Sequence, residues 1–121
     1  KDGKPYMVFG TPGGDQQDQW STLMFLHHAD HGMNLQEAID CPAFHTDHFP
    51  SSFWPRSYLP KKVVLEGRFP VSTVTELKRR GHDIDVSEPW SEGRLTGASR
   101  NGAILKAAAN ARGMQGYAAG R

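Results

Sequence analysis

The stretch Gly10-Thr11-Pro12-Gly13-Gly14-Asp15-Gln16-Gln17-Asp18-Gln19-Trp20 joins a strand-like run to a helix-like run through a turn that needs glycine. Upstream, Pro5 to Phe9 reads PYMVF, a short apolar run of aromatic and β-branched residues that ends at Gly10, as a buried strand does. Downstream, Trp20, Leu23, Met24 and Leu26 recur at helical spacing, and Phe25 widens the apolar face, so this helix is expected to be buried on more than one side. Pro12 sets φ for a turn, while Gly13 and Gly14 permit positive φ and close backbone approach. Two successive backbone N–H groups can then face outward just before a helix starts, which is an anion cradle in outline.

Such a loop has three readings. The plainest is a tight strand-to-helix turn without a ligand, and a lone Pro-Gly-Gly favours it. A Walker-type phosphate loop requires Lys-Ser/Thr after its glycines; Asp15 stands there instead, and its charge opposes a polyphosphate. The third is an oxyanion hole, in which the N–H groups face a charge that exists only during acyl transfer.

Composition bounds the rest. With 121 residues, 37% hydrophobic and 22% charged, the chain is one ordinary domain, residues 1–121, with a modest core. A net charge of +1 and the lack of nucleic-acid-binding signatures give no reason to expect a nucleic-acid partner. No apolar run approaches the ~18 residues of a membrane-spanning helix. Cys41 is the single cysteine, so no internal disulfide forms. Lys1 is not an initiator methionine, and Asp2-Gly3 is a strong hairpin-turn signal with a strand on its C-terminal side only. The expectation is a C-terminal piece of something longer, cut inside a β-hairpin. The Pro5 to Phe9 strand would then present an open edge through which copies could associate.

The first helix is expected from about Gln16 to Gly32, with His27, His28 and His31 in its last turn. His27 and His31 at i, i+4, with His45 and His48 beyond, suit a zinc site in spacing. No HExxH glutamate and no CxxC accompany them, so the expectation is no metal. Asn34 and Glu37 form a capping-box pattern for a second helix running to about Asp40, before Pro42. Ala43 to His48 reads as a short extended segment. Phe49 to Pro60 carries three prolines and four aromatics; a partner surface or a substrate-pocket wall would use them, but an ordered loop packed on the domain's own surface is the favoured reading.

A strand around Val63-Val64-Leu65 and a third helix from Val71 to Arg80, with Val71, Val74 and Leu77 on one stripe, follow. In His82-Asp83-Ile84-Asp85-Val86 the alternation places Ile84 and Val86 in the core and Asp83 and Asp85 in water, which accounts for the two carboxylates without a catalytic role. Arg94 to Arg100 and Ala103 to Ala109 flank Asn101-Gly102, a type I′ hairpin signal. The Gly- and Ala-rich tail from Asn110 is expected to wind over the surface or into a partner chain. Together these elements predict an α+β arrangement.

GTPGGD, a helix, and then HGMNLQEAIDCPAFH resemble the C-terminal part of the small subunit of γ-glutamyltransferases, including the related cephalosporin acylases. The matching residues are Gly10, Pro12, Gly13, Gly14, Gly32, Asn34, Glu37, Ala38, Pro42, Phe44 and His45, and the likeness continues through Arg80-Gly81-His82 and Gly97-Ala98-Ser99. Thr11 stands where Ser is commoner, Ala43 replaces the usual Arg, and the part from Trp90 onward diverges.

The resemblance implies part of the four-layer αββα sandwich of N-terminal-nucleophile hydrolases. It implies an enzyme that transfers or hydrolyses γ-glutamyl groups of glutathione-like substrates through an acyl-enzyme, with no cofactor and no metal. Gly13 and Gly14 match the pair whose backbone amides make the oxyanion hole, and Thr11 matches a pocket-lining Ser. The family's nucleophilic threonine is absent from this chain, and Thr11, Ser21, Ser91 and Cys41 show no activating base in the sequence. Implied partners are a γ-glutamyl small molecule and the remainder of the enzyme, meaning its large subunit and the N-terminal part of its small subunit. The family is often periplasmic or secreted; these residues assign no compartment. An acylase on another amide, or a binding module without catalysis, are the alternatives.

Overall fold

A computed structural model describes residues 1–114 and 116–120. Among these residues six strands form two three-stranded sheets. In the first, β1 (Met7–Gly10) pairs antiparallel with β5 (Thr96–Asn101), which pairs antiparallel with β6 (Ile104–Ala109). In the second, β2 (Phe44–Thr46) pairs antiparallel with β3 (Lys62–Glu66), which runs parallel to β4 (Asp83–Ser87). The helices are α1 (Gln17–Ala29), α2 (Leu35–Asp40) and α3 (Val71–Arg79), the last crossing between the parallel strands β3 and β4.

The core sits where α1 and α2 cover one face of the first sheet. Met24, Leu35, Ala38, Ile39, Leu95 and Ala108 are buried there, with Met7, Phe9, Trp20 and Met33 packed against them. Period-2 alternation explains β1: Met7 and Phe9 face this core and Val8 faces away. α2 begins as its sequence dictates, with Asn34 Oδ1 accepting from Glu37 N–H at 3.0 Å and Glu37 Oε2 accepting from Asn34 N–H at 2.9 Å.

Several expectations are corrected. α1 ends at Ala29, three residues before Gly32, because Asp30 caps it and its N–H donates to Leu26 O. Only Met24 of α1 is fully buried; Phe25 and Leu26 are exposed, because among the described residues the helix packs on one side alone. In β4, Ile84 is buried but Val86 is 55% exposed, so the alternation buries one residue where it promised two.

The hairpin between β5 and β6 pairs Asn101 with Ile104, which leaves Gly102 and Ala103 as its turn. Gly102 has φ 62°, and neither Asn101 nor Ala103 has positive φ, the pattern of type II′ rather than I′. The tail does not simply lie on the surface either, since Arg112 is 2% exposed. At the other end, Asp2 (φ 51°) and Gly3 (φ 72°) form a tight turn closed by Lys4 N–H to Lys1 O at 2.9 Å, as their sequence predicts.

Candidate functional site

The Gly-Gly loop leaves the end of β1 and enters α1 through a single 3-10 turn, Gly14–Gln16. Gly13 has φ 139° and Gly14 φ 64°, so both occupy backbone that L side chains rarely adopt. A second constraint acts on Gly13: a Cβ there would stand 2.4 Å from Trp20 Cζ3. Among the described residues neither glycine N–H meets a backbone acceptor. Two such donors therefore follow one another in sequence at the entry to a helix.

Three supports hold this loop. The first is Thr11, whose Oγ1 donates to Pro12 O (2.9 Å) and accepts from Arg94 N–H (2.8 Å), tying the loop to the segment before β5. The second is Trp20, whose indole lies between Gly13 and Gly93 and meets the His45 ring edge-on at 5.8 Å. His45 Nδ1 is 2.6 Å from Oε2 of Glu92, which is 5% exposed, and Ser87 Oγ donates to the other oxygen at 3.2 Å. Burial of the ring lowers the His45 pKa, but the hydrogen bond and charge of Glu92, with Asp47 adding, outweigh it and leave the pKa above the ordinary histidine value.

The third support is Asp15, whose carboxylate turns toward the loop after β2. Ser51 Oγ (2.7 Å) and Ser52 N–H (2.9 Å) donate to one oxygen, and Ser52 Oγ donates to the other. The side-chain hydrogen bond from Ser52, then that from Ser51 and the Ser52 amide, push the Asp15 pKa below the usual carboxylate value. The sequence marks Asp15 only as an obstacle to polyphosphate; its clamp on residues 36 and 37 positions away has no local signal. The aromatic segment it holds is ordered against the domain, as expected, but its rings pack little there: Phe49, Phe53, Trp54 and Tyr58 are all exposed, Trp54 at 90%.

Most of the other candidates have partners within the chain, although His27 Nδ1 is buried with none among the described residues. His28 Nδ1 lies 2.7 Å from Met33 O and its Nε2 2.8 Å from Tyr6 Oη. His27 and His31 face each other at 5.8 Å, and His48 Nδ1 accepts from Lys61 N–H. Among the described residues no three His, Cys, Asp or Glu side chains converge as a metal site would require. Asp83 and Asp85 are exposed and paired with Lys62 at 3.4 and 2.6 Å. Burial raises the Cys41 thiol pKa, the opposite of an activated nucleophile. Ser91 Oγ donates to Glu88 O, and Ser21 is half-buried on α1.

A model of the gamma-glutamyltranspeptidase family matches residues 1–120. The chain belongs to this family.

Among gamma-glutamyltranspeptidase relatives, the glutathione hydrolase proenzyme of Pseudomonas sp. (strain A14) is 52% identical over 52 residues, which are 43% of this chain and 9% of that protein. A solved structure of LmbA2991 superposes with a TM-score of 0.93 at 54% identity, covering 99% of this chain and 22% of the other. The cephalosporin acylase of Bacillus halodurans superposes with a TM-score of 0.68 at 30% identity, covering 86% of this chain and 18% of the other. The chain thus spans less than a quarter of each of these proteins. Its α+β architecture is part of the N-terminal-nucleophile hydrolase sandwich that gamma-glutamyltranspeptidases and acylases share.

Proposed function

We propose that this chain is the C-terminal portion of a γ-glutamyltransferase-like enzyme and that its part in catalysis is the Gly13-Gly14 loop, which stabilises the oxyanion formed when the acyl carbonyl is attacked. The observation that carries this reading is the pair of adjacent glycines at positive φ, with N–H groups that meet no backbone acceptor among the described residues, at the entry to α1. Membership of the family supports the reaction class. The nucleophile and its base would come from the remainder of the enzyme, since among the described residues Thr11, Ser21, Ser91 and Cys41 show no activating partner. Thr11 would border the same pocket from the strand side. The acyl group transferred or hydrolysed would be the γ-glutamyl group of a glutathione-like substrate, with water or an amine as acceptor.

The likeness to cephalosporin acylase keeps a second amide class in view for the same machinery. Turnover assays decide between them. The full-length parent should release aniline from a γ-glutamyl anilide, and the 121-residue chain should not. Activity of the isolated chain that is lost on substitution of one of its own residues would overturn the assignment. A parent that acts only on amides without a γ-glutamyl group would favour the acylase reading.

A further inference from the structure

The segment between β2 and β3 has a built conformation. Ser51 N–H donates to Ser57 O (2.9 Å), Arg56 N–H to Phe53 O (2.7 Å), Phe53 N–H to Ser51 Oγ (3.1 Å), and Leu59 N–H to Asp47 O (2.8 Å). Its tip is fastened to the Gly-Gly loop by the three bonds that Ser51 and Ser52 make to Asp15. The result is that the Phe53 ring stands against Gly14, with Cε2 3.3 Å from where a Gly14 Cβ would be, while the ring stays 62% exposed. Three backbone bonds, one bond to a serine hydroxyl and a carboxylate clamp order a surface segment whose aromatic rings then bury little within the described residues. Packing among the described residues returns little of that cost in chain entropy.

We infer that Phe53, held in place by Asp15, is a specificity-determining wall of the acyl-transfer pocket, selecting substrates that carry an apolar or aromatic group next to the scissile amide. This rests on the reading of Gly13-Gly14 as the oxyanion hole. A phenyl ring beside Gly14 offers a flat apolar surface to whatever adjoins the reacting carbonyl, and stacked or edge-on ring contacts reward an aryl group beyond its area. Asp15 is a positioning residue. Its carboxylate accepts from the serines, so it orients the ring without facing the substrate itself.

The apolar group could belong to the acyl part or to the amine, and two substrate series separate these sources in the full-length parent. One keeps a γ-glutamyl acyl group and varies the amine between methylamine and benzylamine; the other keeps one amine and varies the acyl group between γ-glutamyl and phenylacetyl. The quantity read is the ratio of kcat/KM between aromatic and small members, in which the chemistry common to all variants cancels. Phe53→Ala should reduce that preference ~10-fold in one series, the size expected for losing one apolar contact in a pocket. Phe53→Leu should restore part of it, and Asp15→Asn should shift the ratio in the same direction as Phe53→Ala. Phe53 is no part of this chain's buried core, and maturation of the parent variants checks that each folds. Ratios that stay within twofold of wild type in both series, from a parent that turns both over, overturn this inference and leave the oxyanion reading standing. A parent that cleaves neither series brings down both.

Discussion

His45 Nδ1 and Glu92 Oε2 meet at 2.6 Å across 47 positions of sequence, behind the indole that backs the Gly-Gly loop. The pair joins the second sheet to the segment leading into β5, and His45 meets edge-on the Trp20 indole that lies against Gly13. Its charge state therefore matters to the loop. The folded-state pKa of His45 lies above the unfolded value, so the stabilisation is fully present below about pH 6.5 and is lost as pH rises through the raised value. His45→Gln should lower the melting temperature more at pH 6 than at pH 9. An equal loss at both pH values would mean that the pair contributes by packing alone.

Arg112 and Glu66 make a second prediction. Glu66 is fully buried and accepts from Arg112 Nε and Nη2 at 2.8 Å each, while Arg112 also donates to the carbonyls of Ile39 and Cys41 at 2.7 Å. Arg68 gives Glu66 a further partner at 2.8 Å and stacks on Trp90 with its guanidinium 3.4 Å from the ring centre. Arg112→Met leaves a buried carboxylate short of one partner and two carbonyls short of donors, at a cost of ~3–5 kcal/mol. Urea denaturation of Arg112→Met, Glu66→Gln and the double variant should show a double-variant loss well below the sum of the singles. Strict additivity would contradict the coupling.

Acid should weaken this same cluster. Burial raises the Glu66 pKa, but Arg112 and Arg68 outweigh it and hold it below the ordinary glutamate value. The stabilisation is therefore present above about pH 4.5 and is lost as pH falls through the lowered value. In Glu66→Gln the acid-induced loss of stability should be smaller than in wild type, measured by urea midpoints between pH 3 and 7. An unchanged acid slope would assign acid sensitivity to other groups.

These clusters mark what the sequence could and could not show. The Gly-Gly turn, the Asn34–Glu37 capping box and the hairpin strands follow from local chemistry, since each depends on residues within a few positions of one another. The parallel pairing of β3 with β4, the Asp15 clamp and the buried Arg112 are set by contacts across 21 or more positions, to which period and propensity are blind. Arg112 sits in a Gly- and Ala-rich tail and reads as solvated until Glu66 is seen beneath it. The turn at Gly102-Ala103 illustrates a smaller failure: the dipeptide marks the hairpin, yet strand register decides which two residues turn.

The capping box itself is testable. Asn34→Ala removes the acceptor for Glu37 N–H and should cost ~1 kcal/mol, with Asn34→Gly costing only a few tenths because it keeps the cap conformation. Denaturant midpoints for the two variants check the order. Equal losses would show that the bond contributes nothing beyond backbone conformation.

The first sheet has β1 at one edge, and among the described residues that edge is unpaired while Val8 lies exposed beside it. We expect the isolated chain to self-associate through it, since an open apolar strand is a template for pairing. Light scattering at high concentration should report species larger than a monomer. A monodisperse monomer with slow amide exchange from Tyr6 to Phe9 would contradict this.

The central claim concerns the Gly14 N–H. Proline cannot test it, because φ 64° is incompatible with the proline ring, and alanine is strained there with Phe53 at 3.3 Å. Replacing the Gly13–Gly14 amide by an ester in the full-length parent removes the donor and leaves φ unconstrained. The account predicts a fall in kcat of ~10²- to 10³-fold, with KM changed much less, because the charge appears only in the transition state. A matured, folded ester variant with near-normal kcat would contradict it and reduce the loop to a turn.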